Sequence, residues 1–219
     1  MKWSLVTRKL GRVDRALEKS IERAEMPGAV VYARMHRDGE VLEHRVARGL
    51  AVVRPERIPM TPETILDLAS LTKPIATTTA ILLLVQDGLL SLDDPVAKVL
   101  PGFGERDKGA VTLRHLLSHC AGLKPWRGFH EPLLQKERRT GETLLGTPEG
   151  REWILERVIR SGLVHETGEA AVYGDLDFIV LGAVVEAVSK QPLDEFCQER
   201  VFGPLGMTET RFLPGFSDP

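Results

Sequence analysis

Cysteine is scarce: the 219 residues contain only Cys120 and Cys197. They show neither metal-ligand spacing nor a secretory pattern, so they read as reduced thiols and point to the cytoplasm rather than to a disulfide framework. Long apolar runs are missing as well. No stretch reaches transmembrane length, and the opening Met1-Lys2-Trp3-Ser4-Leu5-Val6-Thr7-Arg8-Lys9-Leu10 breaks up before it could form a signal-peptide core. Charge of one sign is also lacking. A net charge of −2 without any basic run interleaved with aromatics argues against nucleic acid and other polyanionic partners. Neither Gly-x-Ser-x-Gly nor His-Glu-x-x-His occurs, which disfavours an α/β-hydrolase and a zincin. Gly102-Phe103-Gly104 lacks the further glycine of a phosphate-binding fingerprint and reads as a turn. Internal repeats and low-complexity tracts are absent too.

The stretch that is present and organises the rest is Asp67-Leu68-Ala69-Ser70-Leu71-Thr72-Lys73-Pro74, running into the apolar segment Ile75 to Val85. That segment is long enough for about three helical turns. It holds no polar residue larger than threonine and ends at Gln86-Asp87-Gly88, where Gly88 suits a left-handed cap. Apolar on every side, it belongs in a core. Pro74 has no N–H and fits a helix only in its first turn, so the helix begins near Ser70 or Leu71. Residues three apart share a helix face, which sets Lys73 beside Ser70 close to free N–H groups. A serine nucleophile with a lysine proton partner needs this setting. On spacing alone, an N-capping serine followed by a solvated lysine produces the same pattern.

Before this stretch, Val6, Leu10, Val13, Leu17, Ile21 and Ala24 recur at helical spacing among charged residues, predicting an amphipathic helix that packs on a sheet. The interspersed acids argue against a membrane-surface helix. Ala29 to Met35 and Val41 to Gly49 read as strands joined by Arg37-Asp38-Gly39-Glu40, whose Asp-Gly favours a tight hairpin. Pro55, Pro59 and Pro62 punctuate a loop. After Gly88, Asp93 and Asp94 are placed to cap a short helix over Val96 to Leu100. Thr112 to Leu123 reads as a short helix with a threonine cap. Its histidines, His115 and His119, are four apart but have no third ligand nearby, so they read as structural.

Trp126 to Gly146 is polar and irregular and is expected to be a loop over the site. Thr147-Pro148-Glu149 opens the next helix. Gly168 to Asp175 forms a loop feeding the apolar helix Leu176 to Ser189, with Tyr173 just ahead of it. Such a tyrosine is often a core side chain with a satisfied hydroxyl. Leu193 to Val201 is a further amphipathic helix, and Thr208 to Leu213 a final strand.

Taken together, Ser70-Leu71-Thr72-Lys73, Leu90-Ser91-Leu92-Asp93-Asp94-Pro95, His115-Leu116-Leu117-Ser118-His119, Tyr173-Gly174-Asp175 and Pro204-Leu205-Gly206-Met207 resemble the serine β-lactamase and penicillin-binding-protein superfamily. The likeness is nearest to class C β-lactamases and their esterase relatives. It implies an α+β fold in which a helical domain joins an antiparallel sheet flanked by helices. Residues 1–60 would supply the N-terminal helix and hairpin of an incomplete sheet domain, and residues 61–219 the helical domain with the Ser-x-x-Lys and Tyr-x-Asp motifs. Family members continue well beyond the Pro-Leu-Gly-Met stretch with further sheet strands and a Lys-Thr-Gly or His-x-Gly motif. This sequence lacks both.

By that resemblance Ser70 is the acylated nucleophile, Lys73 its proton partner and Tyr173 a second general base. Asp175 is a substrate-binding position where the family often has asparagine. A carboxylate there would hold Lys73 protonated and shift proton abstraction toward Tyr173. The expectation is a serine hydrolase of small esters or amides. β-Lactamase or D-Ala-D-Ala peptidase activity is the alternative within enzymes, and a catalytically weak binding or assembly unit the alternative outside them. No cofactor, metal, nucleic acid or membrane is implied. Expected partners are a small ester, amide or lactam substrate and either a second copy or a separate C-terminal fragment completing the sheet.

Overall fold

The computed structural model describes residues 3–212, which divide into two compact units, Met1–Asp67 and Leu68–Pro219. In the first, helix α1 (Trp3–Glu22) is followed by strands β1 (Gly28–Arg37) and β2 (Glu40–Val52), paired antiparallel with Val31 opposite Val46 and Arg37 opposite Glu40. The connection has two residues, Asp38 and Gly39, with φ of 52° and 79°. Positive φ at both positions gives the turn whose twist suits a two-residue hairpin, which is why Asp-Gly stands there.

Strand alternation then sorts the side chains. Val31, Ala33 and Met35 lie opposite Val46, His44 and Leu42 on the half-buried face, whereas Tyr32, Arg34, Glu43 and Arg45 occupy the exposed one. Helix α1 packs on the former: Asp14 meets His44 at 2.8 Å, and Glu18 accepts from Arg48 at 3.1 Å. Val46 is the one fully buried apolar side chain among the described residues of this unit.

A third strand, β3 (Ile58–Pro59), pairs with the end of β2. The prolines predict a loop here, and the structure forms a short strand instead. Two residues at a sheet edge tolerate Pro59 because its missing N–H faces no partner strand. The sheet order is β1-β2-β3, so β1 is an edge among the described residues.

The second unit is helical. A 3₁₀ turn, Ala69–Leu71, leads through a π turn, Lys73–Thr78, into α2 (Thr79–Gln86). Pro74 at the start of the π turn cannot donate, and its carbonyl accepts from the Thr79 hydroxyl at 3.0 Å instead. Helices α3 (Leu113–Leu117), α4 (His130–Thr140), α5 (Pro148–Ile159), α6 (Leu176–Ser189) and α7 (Leu193–Cys197) follow. Ile81 and Leu84 of α2, Leu113 and Leu116 of α3, and Val180, Leu181, Val184 and Val185 of α6 form one buried cluster. Each such side chain contributes about 1.5–3 kcal/mol on burial, and α6 supplies four of them, Val180, Leu181, Val184 and Val185.

Three local readings change. Asp93 and Asp94 cap no helix: Asp94 accepts from the Ser91 N–H at 2.8 Å and from Lys98 at 2.9 Å, and Asp93 pairs with Arg114. With the carboxylates so engaged, only a 3₁₀ turn, Val96–Lys98, forms there.

Residues 126–146 are not an irregular loop, because they contain α4. Phe129, Leu133 and Leu144 are buried, and Glu137 of α4 accepts from the N–H groups of Leu144 and Leu145, both at 2.6 Å. That carboxylate does for the following segment what a strand partner would otherwise do.

Residues 208–212 form no strand, and Leu213 lies outside the described residues. Met207 and Phe212 pack on the core instead, Phe212 with its ring centroid 6.4 Å from that of Phe202.

Candidate active site

Ser70 enters from a strained position. Ala69 has φ of 45°, in the left-handed region where a residue with a Cβ costs on the order of 1 kcal/mol or more. The turn made there leads the chain into the helical path, leaving Ser70 exposed in its first turn. Lys73 follows one turn later and is largely covered, with 13% side-chain exposure. Its Nζ donates to Ser70 Oγ at 3.2 Å.

The other half of the site arrives on the loop ahead of α6. Lys73 Nζ donates to Asp175 Oδ1 at 2.7 Å and stands 5.1 Å from the centre of the Tyr173 ring. The structure thus brings Ser70, Lys73, Tyr173 and Asp175 together. Tyr173 is 58% exposed, so it is no core tyrosine and its hydroxyl is reachable from solvent.

Electrostatics divide the protons. Burial by itself would lower the Lys73 pKa. Hydrogen bonding to Asp175 and to Tyr173 outweighs it, and the ammonium is held above the ordinary lysine range. Hydrogen bonding toward Ser70, then toward Lys73, holds the Tyr173 phenol below the ordinary tyrosine range. The ammonium donates to Ser70 Oγ, which leaves the serine's own proton directed elsewhere.

The loop is gripped from both sides. Asp175 N–H donates to Pro125 O at 2.7 Å, and a Cβ on Gly174 would come within 2.7 Å of Pro125 Cα, so only glycine fits. On the opposite side His119, with φ of 59°, presents Nδ1 3.3 Å from the Gly174 N–H and 3.0 Å from Asp177 Oδ2. Its ring lies against that of Tyr173, centroids 4.6 Å apart. The histidine pair therefore separates: His115 completes a capping box with Thr112 at the start of α3, and His119 supports the Tyr173 loop. Asp177 and Pro125 were not singled out from the sequence. Pro125 meets this loop and Asp177 meets His119, each across a long stretch of chain, and no local pattern signals them. Among the described residues no cluster of His, Cys, Asp and Glu could hold a metal ion.

The Beta-lactamase family model matches residues 13–218. The chain belongs to the Beta-lactamase family. A protein of Escherichia coli (strain K12) carrying the provisional name D-alanyl-D-alanine carboxypeptidase is 35% identical over 170 residues, which cover 75% of this chain and 37% of that protein.

Two solved structures give the fold. The octameric penicillin-binding protein homologue from Pyrococcus abyssi superposes with a TM-score of 0.71 at 30% identity, covering 90% of this chain and 43% of its own. EstCE1, a hydrolase with promiscuous acyltransferase activity, does so with a TM-score of 0.70 at 31% identity, covering 90% and 51%. The α+β fold is thus that of the β-lactamase and penicillin-binding proteins. The chain spans about half the length of such relatives or less.

Proposed function

We propose that this chain carries the nucleophilic half of a serine hydrolase site and acts on small esters or amides through an acyl-enzyme on Ser70. The observation that carries the reading is the placement of Lys73 Nζ, hydrogen-bonded to both Ser70 Oγ and the Asp175 carboxylate beneath the Tyr173 ring. As Ser70 Oγ attacks the substrate carbonyl carbon, its proton passes to the oxygen of Tyr173 in its phenolate form, while Lys73 stays an ammonium and stabilises the negative charge between them. Tyr173 then gives that proton to the departing alcohol or amine. In the second half-reaction Tyr173 deprotonates a water that attacks the acyl carbon, and the proton returns to Ser70 as the ester bond breaks. Asp175 keeps Lys73 charged and presents its free oxygen to substrate.

The name carried by the E. coli relatives and the penicillin-binding homologue favour a second reading of the same site, a D-alanyl peptide or lactam as acyl donor. A third reading, a unit that binds or assembles and scarcely turns over, is separated from these two by the experiment below. The free thiols of Cys120 and Cys197 support a reducing compartment, the cytoplasm, as the place of action.

Intact-mass labelling with a fluorophosphonate, a simple activated ester and a penicillin tests these together. One adduct per chain, lost in Ser70→Ala, is expected. Undiminished labelling of Ser70→Ala would sink the assignment of the nucleophile, labelling by penicillin alone would favour the lactam reading, and no labelling would favour the binding unit.

A further inference from the structure

His119 is the most connected side chain that the chemistry above leaves unused. It touches neither Ser70 nor Lys73, yet it meets the Tyr173-Gly174-Asp175 loop in three ways: ring on ring with Tyr173, Nδ1 facing the Gly174 N–H, and its carbonyl accepting from the Val172 N–H at 2.9 Å. Behind it Phe178 stacks at 5.2 Å and Asp177 binds the same Nδ1. An imidazole nitrogen has one in-plane position. Nδ1 can accept from Gly174 or donate to Asp177, one at a time. The Asp177 side chain is 5% exposed, its Oδ1 has no hydrogen-bond partner among the described residues, and burial pushes its pKa up to about 6 against the opposing effect of His119.

We propose that His119, oriented by Asp177, is the positioning residue of this site, holding Gly174 through Nδ1 and Tyr173 through its ring so that the phenol stays over Lys73 and beside Ser70. The inference rests on the acyl-enzyme reading for its consequence but not for its first measurement. Tyr173 is 58% exposed, so solvent covers much of it on the outer side. With Pro125 gripping the loop from one side, His119 supplies the grip from the other.

The chain has only two tyrosines, so in a Tyr32→Phe background the ultraviolet titration of phenolate reports Tyr173 alone, whether or not the chain turns anything over. The midpoint is expected below that of an ordinary tyrosine. It should rise toward the ordinary value in His119→Phe, which keeps a ring but no nitrogen. Because that variant could fail to fold, His119→Asn and His119→Gln form a second comparison: asparagine sets its amide where Nδ1 lies, glutamine where Nε2 lies. Asparagine should keep the midpoint closer to that of the parent than glutamine does. Fluorophosphonate labelling of Ser70 should slow on the order of ten- to a hundredfold in His119→Phe and His119→Gln, less in His119→Asn.

A Tyr173 midpoint unchanged in folded His119→Phe, or equal in the asparagine and glutamine variants, overturns the proposal. If the parent never labels while the midpoints move as expected, it is the acyl-enzyme reading that fails and the positioning role that survives.

Discussion

Lys73 and Asp175 lie 102 positions apart in the chain, yet Nζ and Oδ1 meet at 2.7 Å. That contact ties the start of the first core helix to the loop ahead of α6. With the carboxylate present, Lys73 holds its proton above the ordinary range and Tyr173 loses its own below the ordinary range. Asp175 acts on both in the same sense, since its charge raises the phenol pKa as well as that of the ammonium.

Asp175→Asn should therefore shift the rise of Ser70 labelling with pH to lower pH. Without the carboxylate the ammonium gives up its proton more readily, and the phenol, freed of a neighbouring negative charge, ionises earlier. Both changes move the basic form downward on the pH axis. Labelling rates from pH 5 to 10 would measure it. An unmoved or upward-shifted profile would show that the carboxylate does not govern the base.

Much of this site was legible because its signals are local. Ser70 and Lys73 share a helix turn, Pro74 fixes where that turn begins, and Asp38-Gly39 specifies a hairpin through its own φ values. What escaped depends on partners remote in sequence. Helix α4 is polar along most of its length and is held by Leu133 beneath and by Glu137 bonding forward to Leu144 and Leu145. The Asp177 contact with His119 spans 58 positions, and α3 offers no hint of it.

Buried lysine is the costliest departure from ordinary patterning. Lys108 is fully buried, and burial depresses its pKa. Its Nζ donates to Ile159 O at 2.9 Å and also to Ser161 O, with the Phe103 ring centre 5.1 Å away. Those carbonyls lie at the end of α5, where the helix has no N–H left to offer. Lys108→Met fills the same space without donors and should destabilise the chain by about 1–3 kcal/mol, the cost of leaving buried acceptors unpaired. Thermal melting of the two proteins checks it. An equal or higher melting temperature in the methionine variant would mean that the ammonium's desolvation outweighs its bonds.

The last prediction concerns the edge of the sheet. Strand β1 pairs with β2 along its whole length and has no second neighbour among the described residues, while the two-residue β3 sits at the far side of β2. Unpaired N–H and C=O groups on a strand of 10 residues are a template for another chain. Among the described residues of this unit only Val46 is buried among the apolar side chains, which is little core for a helix and a hairpin that would be marginal alone. Relatives about twice as long have further polypeptide available. The free edge of β1 is therefore expected to accept a strand from a second polypeptide, either a separate C-terminal fragment or another copy. Light scattering behind size exclusion should then show association or poor solubility of the chain alone. Amide exchange should be fast along Gly28–Arg37 and should slow when a complementing C-terminal segment of a relative is added. A stable monomer with strong protection in both long strands would refute this, because the hairpin and α1 would then suffice without any further strand.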